Sequence, residues 1–331
     1  MKIFQDNGFF FDTGRADCLE NECYLLMSVR GHSTGFYPSL PASDKSVQDY
    51  VDYINDNRVE RVAALIDDFS FLKDCQSIRR LDIYPSFEAR PNVSMEGVYQ
   101  LKNLQLLQVH TVYGLNDRHY THFDCAMLKS AATLEWFSAN CRKGITNFQA
   151  LNALKSLIVS NYKHHDLTSL IGSNSLDTLS ILNSNISSLK GLDISDKVAV
   201  IRIEDCHKLD DISTLSYCAD TLKGLLISDC NRIKDYSPLS SLHHLVRLTL
   251  WGSGSIDNLS FVKDMPLLKT ITLGVNVQDG DLSPLDSIES VSIYPFRRHY
   301  NRKQSDYSKK NNKPSIRGDE GIEAWRRHVL S

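Results

Sequence analysis

The sequence lacks several features that would commit it to a function class. No apolar window approaches the roughly 18 residues of a membrane-spanning helix, and the opening MKIFQDNGFFFDTG holds no apolar run of signal-peptide length. A cytoplasmic location without membrane association is expected. Neither sign of charge dominates: 37 Lys and Arg face 40 Asp and Glu, leaving a net charge of −3 and no global attraction to nucleic acid. The 8 cysteines include no C-x-x-C pair, so free thiols are expected in place of a disulfide framework or a zinc site. There is no nucleophile elbow, and GSGS at 252–255 lacks the Lys and Ser/Thr of a phosphate-binding loop. Catalytic residues and a cofactor are therefore not assigned, and an enzyme is not expected.

What the chain does have is repetition. VAVIRIEDC, LKGLLISDC and LVRLTLWGS, between Val198 and Ser253, share aliphatic residues at their first, fourth and sixth places. The first two are followed by a polar run and then DISTL or DYSPL. With 42% apolar and 23% charged residues, the 331-residue chain can bury a substantial core along such a pattern.

The spacing resembles the leucine-rich-repeat signature, L-x-x-L-x-L-x-x-N/C-x-L on a short strand, and is most similar to the bacterial internalin-like subclass with repeats of about 22 residues. The resemblance implies an α/β solenoid: a curved parallel sheet on the concave face, short helical or irregular segments on the convex face, and a cap at each end. The central strand aliphatics are placed at Val62, Leu81, Leu107, Phe137, Leu157, Leu179, Ile201, Leu225, Leu248, Ile271 and Val291, about 11 coils over 59–296. A second marker follows each strand, as in DFSFL at 68–72, NFQAL at 147–151, DLTSL at 166–170 and DLSPL at 281–285. Its leading Asp or Asn suits a turn cap, and its last aliphatic returns to the core. Cys206, Cys230 and Asn276 fall where the consensus wants Asn or Cys, with Ser184 and Ser253 as weaker versions. There a small polar side chain is expected to point inward and satisfy the backbone of the turn.

Residues 1–58 do not show the repeat and should form an N-terminal cap. A strand is predicted over 23–29, and a helix behind a Ser46/Asp49 capping box with Val47, Tyr50, Val51 and Ile54 on one face. Residues 297–331 should comprise a basic, solvated arm over 297–317 and a capping helix carrying Ile322, Trp325 and Val329. His110, His119, His122 and Asp124 have spacing a metal could use, but a polar loop accounts for them and no metal site is assigned.

Function is sought in strand residues that face out and have no role in the repeat. These are Tyr84, Trp136, Arg202, Glu204, Leu226, Arg247, Trp251 and Tyr294, the two tryptophans most of all, because Trp, Tyr and Arg dominate interface hot spots. The family resemblance implies a protein-binding scaffold. The partner expected first is a cognate toxin, neutralised by a monomeric immunity protein. A regulatory or adaptor subunit of an intracellular enzyme, and a nucleic-acid-associated protein acting through the basic arm, are the alternatives.

Overall fold

In a computed structural model the chain forms two compact units, Met1–Ser156 and Leu157–Ser331. The structure describes residues 3–13, 23–28, 43–66, 68–84, 94–109, 123–141 and 144–308. The C-terminal capping helix expected over 319–330, the triad His110, His119 and His122, and Cys18 lie outside the described residues.

The first unit opens with a hairpin, β1 (Ile3–Asp6) antiparallel to β2 (Phe9–Asp12). Its two-residue turn is Asn7-Gly8, both with positive φ, the geometry whose twist matches the flanking strands. The Asn-Gly between IFQD and FFFD is a plain hairpin signal, one that a search for the repeat does not register. β2 pairs antiparallel with β3 (Tyr24–Ser28), which in turn runs parallel to β4 (Arg61–Leu65). Helix α1 (Val47–Asp56) lies between β3 and β4 in the chain. Ser46 caps it as expected: its hydroxyl accepts from the Asp49 amide at 3.2 Å, and the Asp49 carboxylate accepts from the Ser46 amide at 2.7 Å. Tyr50, Val51 and Ile54 form the buried stripe. Parallel pairing continues through β5 (Arg80–Ile83), β6 (Leu106–Val109) and β8 (Trp136–Asn140). A separate two-stranded pair joins β7 (Phe123–Asp124) to β9 (Ile145–Thr146).

The second unit repeats one plan. After β10 (Ser156–Ser160) come the parallel strands β11 (Thr178–Leu182), β12 (Val200–Glu204), β13 (Gly224–Ser228), β14 (Arg247–Trp251), β16 (Thr270–Leu273) and β18 (Ser290–Ile293). The short strands β15 (Ser255–Ile256) and β17 (Asn276–Val277) pair beside them. Leu179, Ile201, Leu225, Leu248, Ile271 and Val291 are registered partners in adjoining rungs, as the repeat count requires. In the first unit Leu25, Val62, Leu81, Leu107 and Phe137 do the same, so the cap's β3 is itself a rung. The step aliphatics Leu215, Leu239 and Leu285 are buried behind the strands, on 3-10 turns at Ser213–Cys218, Ser237–Ser241 and Ser283–Leu285.

Each step's leading acid caps its turn. Asp211 accepts from the Ser213 amide at 2.9 Å, Asp235 from Ser237 at 2.8 Å, and Asp281 from Ser283 at 2.9 Å. At the other end of each strand the chain turns through a left-handed residue: Asn161, Asn183, Asp205 and Asp229, with φ between 45° and 57°. Asn and Asp tolerate this region better than other side chains. Gly252, with φ 129°, ends the run.

Two expectations need correction. The basic stretch is not a solvated arm where it begins: Tyr300 and Tyr307 are buried, and the Tyr307 hydroxyl donates to the Leu282 carbonyl at 3.2 Å. Arg302 forks onto Asp286 with Nε to Oδ1 at 3.0 Å, and Asn301 donates to Asp281 and accepts from the Leu282 amide. The low apolar content of 297–317 hid two tyrosines that anchor residues 300–307 to the last coil. Asn276 is the second. It does not follow a left-handed residue; it sits in β17 with its amide donated to the Gly254 carbonyl at 3.0 Å. Its Oδ1 is buried but accepts no hydrogen bond among the described residues, so it does not cap the turn.

Truncating one rung of the shared column should be costly. Leu225→Ala is expected to lose about 2–5 kcal/mol of unfolding free energy, read from denaturant titration, because the neighbouring rungs cannot collapse into the space. Acid should also weaken the stack. Hydrogen bonds from the hydroxyl and amide of Thr168, Ser213 and Ser237 hold the carboxyls of Asp166, Asp211 and Asp235 below the ordinary 3.8. A lowered folded pKa gives stability that is complete above the unfolded value and is lost as pH falls through the folded one. The unfolding midpoint should thus hold from about pH 7 to about pH 5 and fall below about pH 4, more shallowly when all three are changed to Asn.

Candidate binding face

The strand faces opposite the repeat core differ along the chain, and the residue pattern shows where. In β3 and β4, YLLMS and RVAAL are apolar on both sides, the mark of a parallel strand covered on both faces. Phe10, Tyr24, Leu26, Ala63, Leu65 and Tyr84 accordingly form a buried cluster on that outer face. Tyr84, expected to face out, is only 3% exposed and belongs to this cluster. Trp136, at the head of β8, is half-buried in register with Leu106.

In the second unit the pattern turns to strict alternation: RLTLW, TITL and SVSI in β14, β16 and β18. Every second residue is buried, whereas Arg247, Thr249, Trp251, Thr270, Thr272, Ser290 and Ser292 are partly exposed. Alternation is what a sheet with one open face requires. On the preceding strands the outer face is closed or nearly so, with Thr178, Ser180 and Val200 buried.

Six of the eight expected residues lie on this second unit. Arg202 is 5% exposed and forks onto Glu204 of its own strand, Nε to Oε1 at 2.9 Å and Nη2 to Oε2 at 3.0 Å. Residues two apart on a strand share a face, so the pair is preset by the backbone, and the bidentate geometry fixes both side chains. Leu226, on the next strand, packs against Ala199 and Val200 while staying partly exposed. Arg247 is half-buried, and among the described residues its guanidinium has neither an ion pair nor a hydrogen-bond partner. Burial pulls its pKa below the usual guanidinium range.

Trp251 and Tyr294 close the far edge. Their rings are nearly parallel, with 7° between planes and centroids 6.4 Å apart. Gly274, directly after β16, lies against the indole, and a Cβ there would come within 2.5 Å of Trp251 Cδ2 and 2.6 Å of Cε3. The missing side chain is what lets the indole lie down on the sheet. Tyr294 is 67% exposed.

Behind this face, Cys206 and Cys230 follow Asp205 and Asp229 and point inward. Cys206 Sγ donates to the Glu204 carbonyl at 3.5 Å, and Cys230 Sγ to the Ser228 carbonyl at 3.3 Å. Ser184 makes the same bond to Leu182 at 2.8 Å and accepts from the Tyr162 amide at 3.0 Å. Ser253 is exposed and makes no such cap. All cysteines among the described residues are free, and burial raises the thiols of Cys75 and Cys141 to about 12 and Cys218 to about 11. Asp124, the one described member of the histidine grouping, caps the turn Cys125–Met127 by accepting from the Ala126 amide at 2.9 Å. No group of three or more His, Cys, Asp or Glu among the described residues is placed to hold a metal, and no described helix is long and apolar enough to cross a membrane.

Parallel single strands, an inward aliphatic column, a polar cap after each strand and a 3-10 step behind it together define a leucine-rich-repeat solenoid. Solved structures share it. Internalin C2 of Listeria monocytogenes is 20% identical over 64% of this chain and 87% of its own, with a TM-score of 0.45. The internalin InlF of the same organism is 16% identical over 78% and 79%, also at 0.45. The structure of the Toll–Spatzle complex, from Drosophila, matches at 14% identity over 88% of this chain and 38% of that chain, with a TM-score of 0.55. At such identities the likeness is one of fold alone. No protein-family model and no curated protein sequence matches the chain.

The role of Gly274 can be checked directly. Gly274→Val should lift the indole off the sheet and increase acrylamide quenching of Trp251 fluorescence, measured with Trp136→Phe and Trp325→Phe as background so that one of the 3 tryptophans reports. The thiols of Cys75, Cys141 and Cys218 should react slowly with iodoacetamide at neutral pH, because raised pKa values leave almost no thiolate; unfolding should expose all three.

Proposed function

We propose that the chain is a non-catalytic, monomeric protein-binding scaffold that grips its partner with the open sheet face of β13 to β18. The observation that carries this reading is the alternation in β14, β16 and β18, which leaves Arg247, Trp251 and Tyr294 on a partly exposed face where the repeat has no use for them. Large aromatic side chains and arginine at the centre of a face supply most of the binding energy in protein interfaces. The same fold carries a protein partner in the Toll–Spatzle complex, which supports the class without specifying the partner. Within that class we favour a cytoplasmic immunity protein whose partner is a cognate toxin, a narrower reading supported by the sequence resemblance. No cofactor enters the proposal.

Capture of the partner from the native lysate, followed by titration against purified variants, tests the proposal. A one-to-one complex is expected, weakened by about 2 kcal/mol or more, roughly thirty-fold in Kd, by Trp251→Ala with no change in the unfolding midpoint. Affinity that instead falls steeply with added salt and follows nucleic acid would assign the activity to the basic C-terminal stretch.

A further inference from the structure

The chemistry of the open face narrows what can sit on it, an inference that rests on the binding-face reading above. β13, β14, β16 and β18 are in register, so their outward residues form a grid. One edge row is Gly224, Arg247, Thr270 and Ser290; the middle row is Leu226, Thr249, Thr272 and Ser292; the far edge holds Ser228 and Trp251, with Gly274 and Tyr294 directly after β16 and β18. The floor is therefore small and mostly hydroxylated, rimmed by a guanidinium on one side and two aromatic rings on the other.

Arg247 is the residue that calls for a partner. Arg202, two strands away, is deeply buried and answered by Glu204. Arg247 is half-buried, has no anion among the described residues, and is flanked in its row by Gly224 and Thr270, neither of which can answer its charge. Partial desolvation of an unpaired cation is unfavourable, and an incoming carboxylate would relieve it through a bidentate, charge-assisted pair. The flanking Gly and Thr leave room for that approach. At the other rim Tyr294, 67% exposed and parallel to the Trp251 ring, offers an aromatic surface to a further ring.

We infer that this face takes an extended segment of a protein partner that sets an Asp or Glu carboxylate on Arg247 and an aromatic ring on Trp251 and Tyr294. Arg247 and Trp251 are the first and last residues of β14, so the two anchor points are roughly 13 Å apart at about 3.3 Å per residue. An extended segment lying along the strand spans that distance in about four residues, and residues an even number apart point to the same side. The ligand pattern is thus an acidic and an aromatic residue four apart, with Ser and Thr hydroxyls of the floor free to bond the polar groups between them.

Selection of short random peptides displayed on phage against the full chain tests this, with the winners re-measured as synthetic peptides against Arg247→Met and Trp251→Ala. The expected result is enrichment of an acid and an aromatic ring four apart, with affinity reduced at least about ten-fold by Arg247→Met, by Trp251→Ala, and by changing the peptide's acid to its amide. Met keeps the apolar stem and removes only the charge. Peptides that need Trp251 but are indifferent to Arg247→Met and to the acid would overturn the inference while leaving the binding-face reading intact. Peptides whose binding ignores Trp251 altogether would sink both.

Discussion

The second unit depends on one column of aliphatic side chains that no coil can bury alone. A single turn of the repeat presents Leu225 and Ile227 on one side of a five-residue strand and Leu239 on the step behind it. Water is excluded only when the next turn lies alongside in the same register. Parallel pairing of Leu179, Ile201, Leu225, Leu248, Ile271 and Val291 is therefore the condition for having a core, and the strand hydrogen bonds follow from it. The first rung of the first unit and the last rung of the second are closed in different ways. At the first rung an antiparallel hairpin and the capped helix α1 accompany β3. At the last, Tyr300, Asn301, Arg302 and Tyr307 fold back on the coil that contains Asp281, Leu282 and Asp286.

The same constraint separates structure from function along each strand. Inward positions are committed to the column, so variation is confined to outward ones, and these fall into two kinds. Where both sides of a strand are apolar, as in β3 and β4, the outward side is buried and does structural work. Where hydroxyls alternate with aliphatics, as in β16 and β18, the outward side stays partly exposed and can host large residues for other ends. Trp251 depends on this twice: it needs the open side, and it needs Gly274 beside it to lie flat. Arg247 contrasts with Arg202 for a local reason, since an acid two places along on the strand exists for one and not the other.

Much of the fold is legible in the sequence because its determinants are periodic. The rung positions from Val62 to Phe137 and from Leu179 to Val291, the Ser46 cap and the inward Cys206 and Cys230 can be placed by counting, and they lie in the structure where counting puts them. Tyr84 departs from expectation because the count marks it as outward and says nothing about what covers it, although the doubled apolar pattern of the preceding strands holds the clue. Asn276 departs because a position in the repeat does not fix the backbone conformation. Ser184, Cys206 and Cys230 each cap directly after a left-handed residue, and neither Gly274 nor Val275 takes a positive φ before β17. For the stretch after Phe296, composition averages away two well-placed tyrosines.

By itself the sequence determined the strand register, the inward column and the capping chemistry, because each is a short-range rule repeated at fixed spacing and repetition makes a weak local preference decisive. Only the tertiary structure decided which outward residues meet solvent, which charge has an answer and which ring lies beside which. Those outcomes depend on pairs such as Trp251 and Tyr294, or Arg247 and its uncharged row, brought together from different coils. No single repeat contains the information, since the distance between such residues in space is set by stacking and not by their separation in the chain.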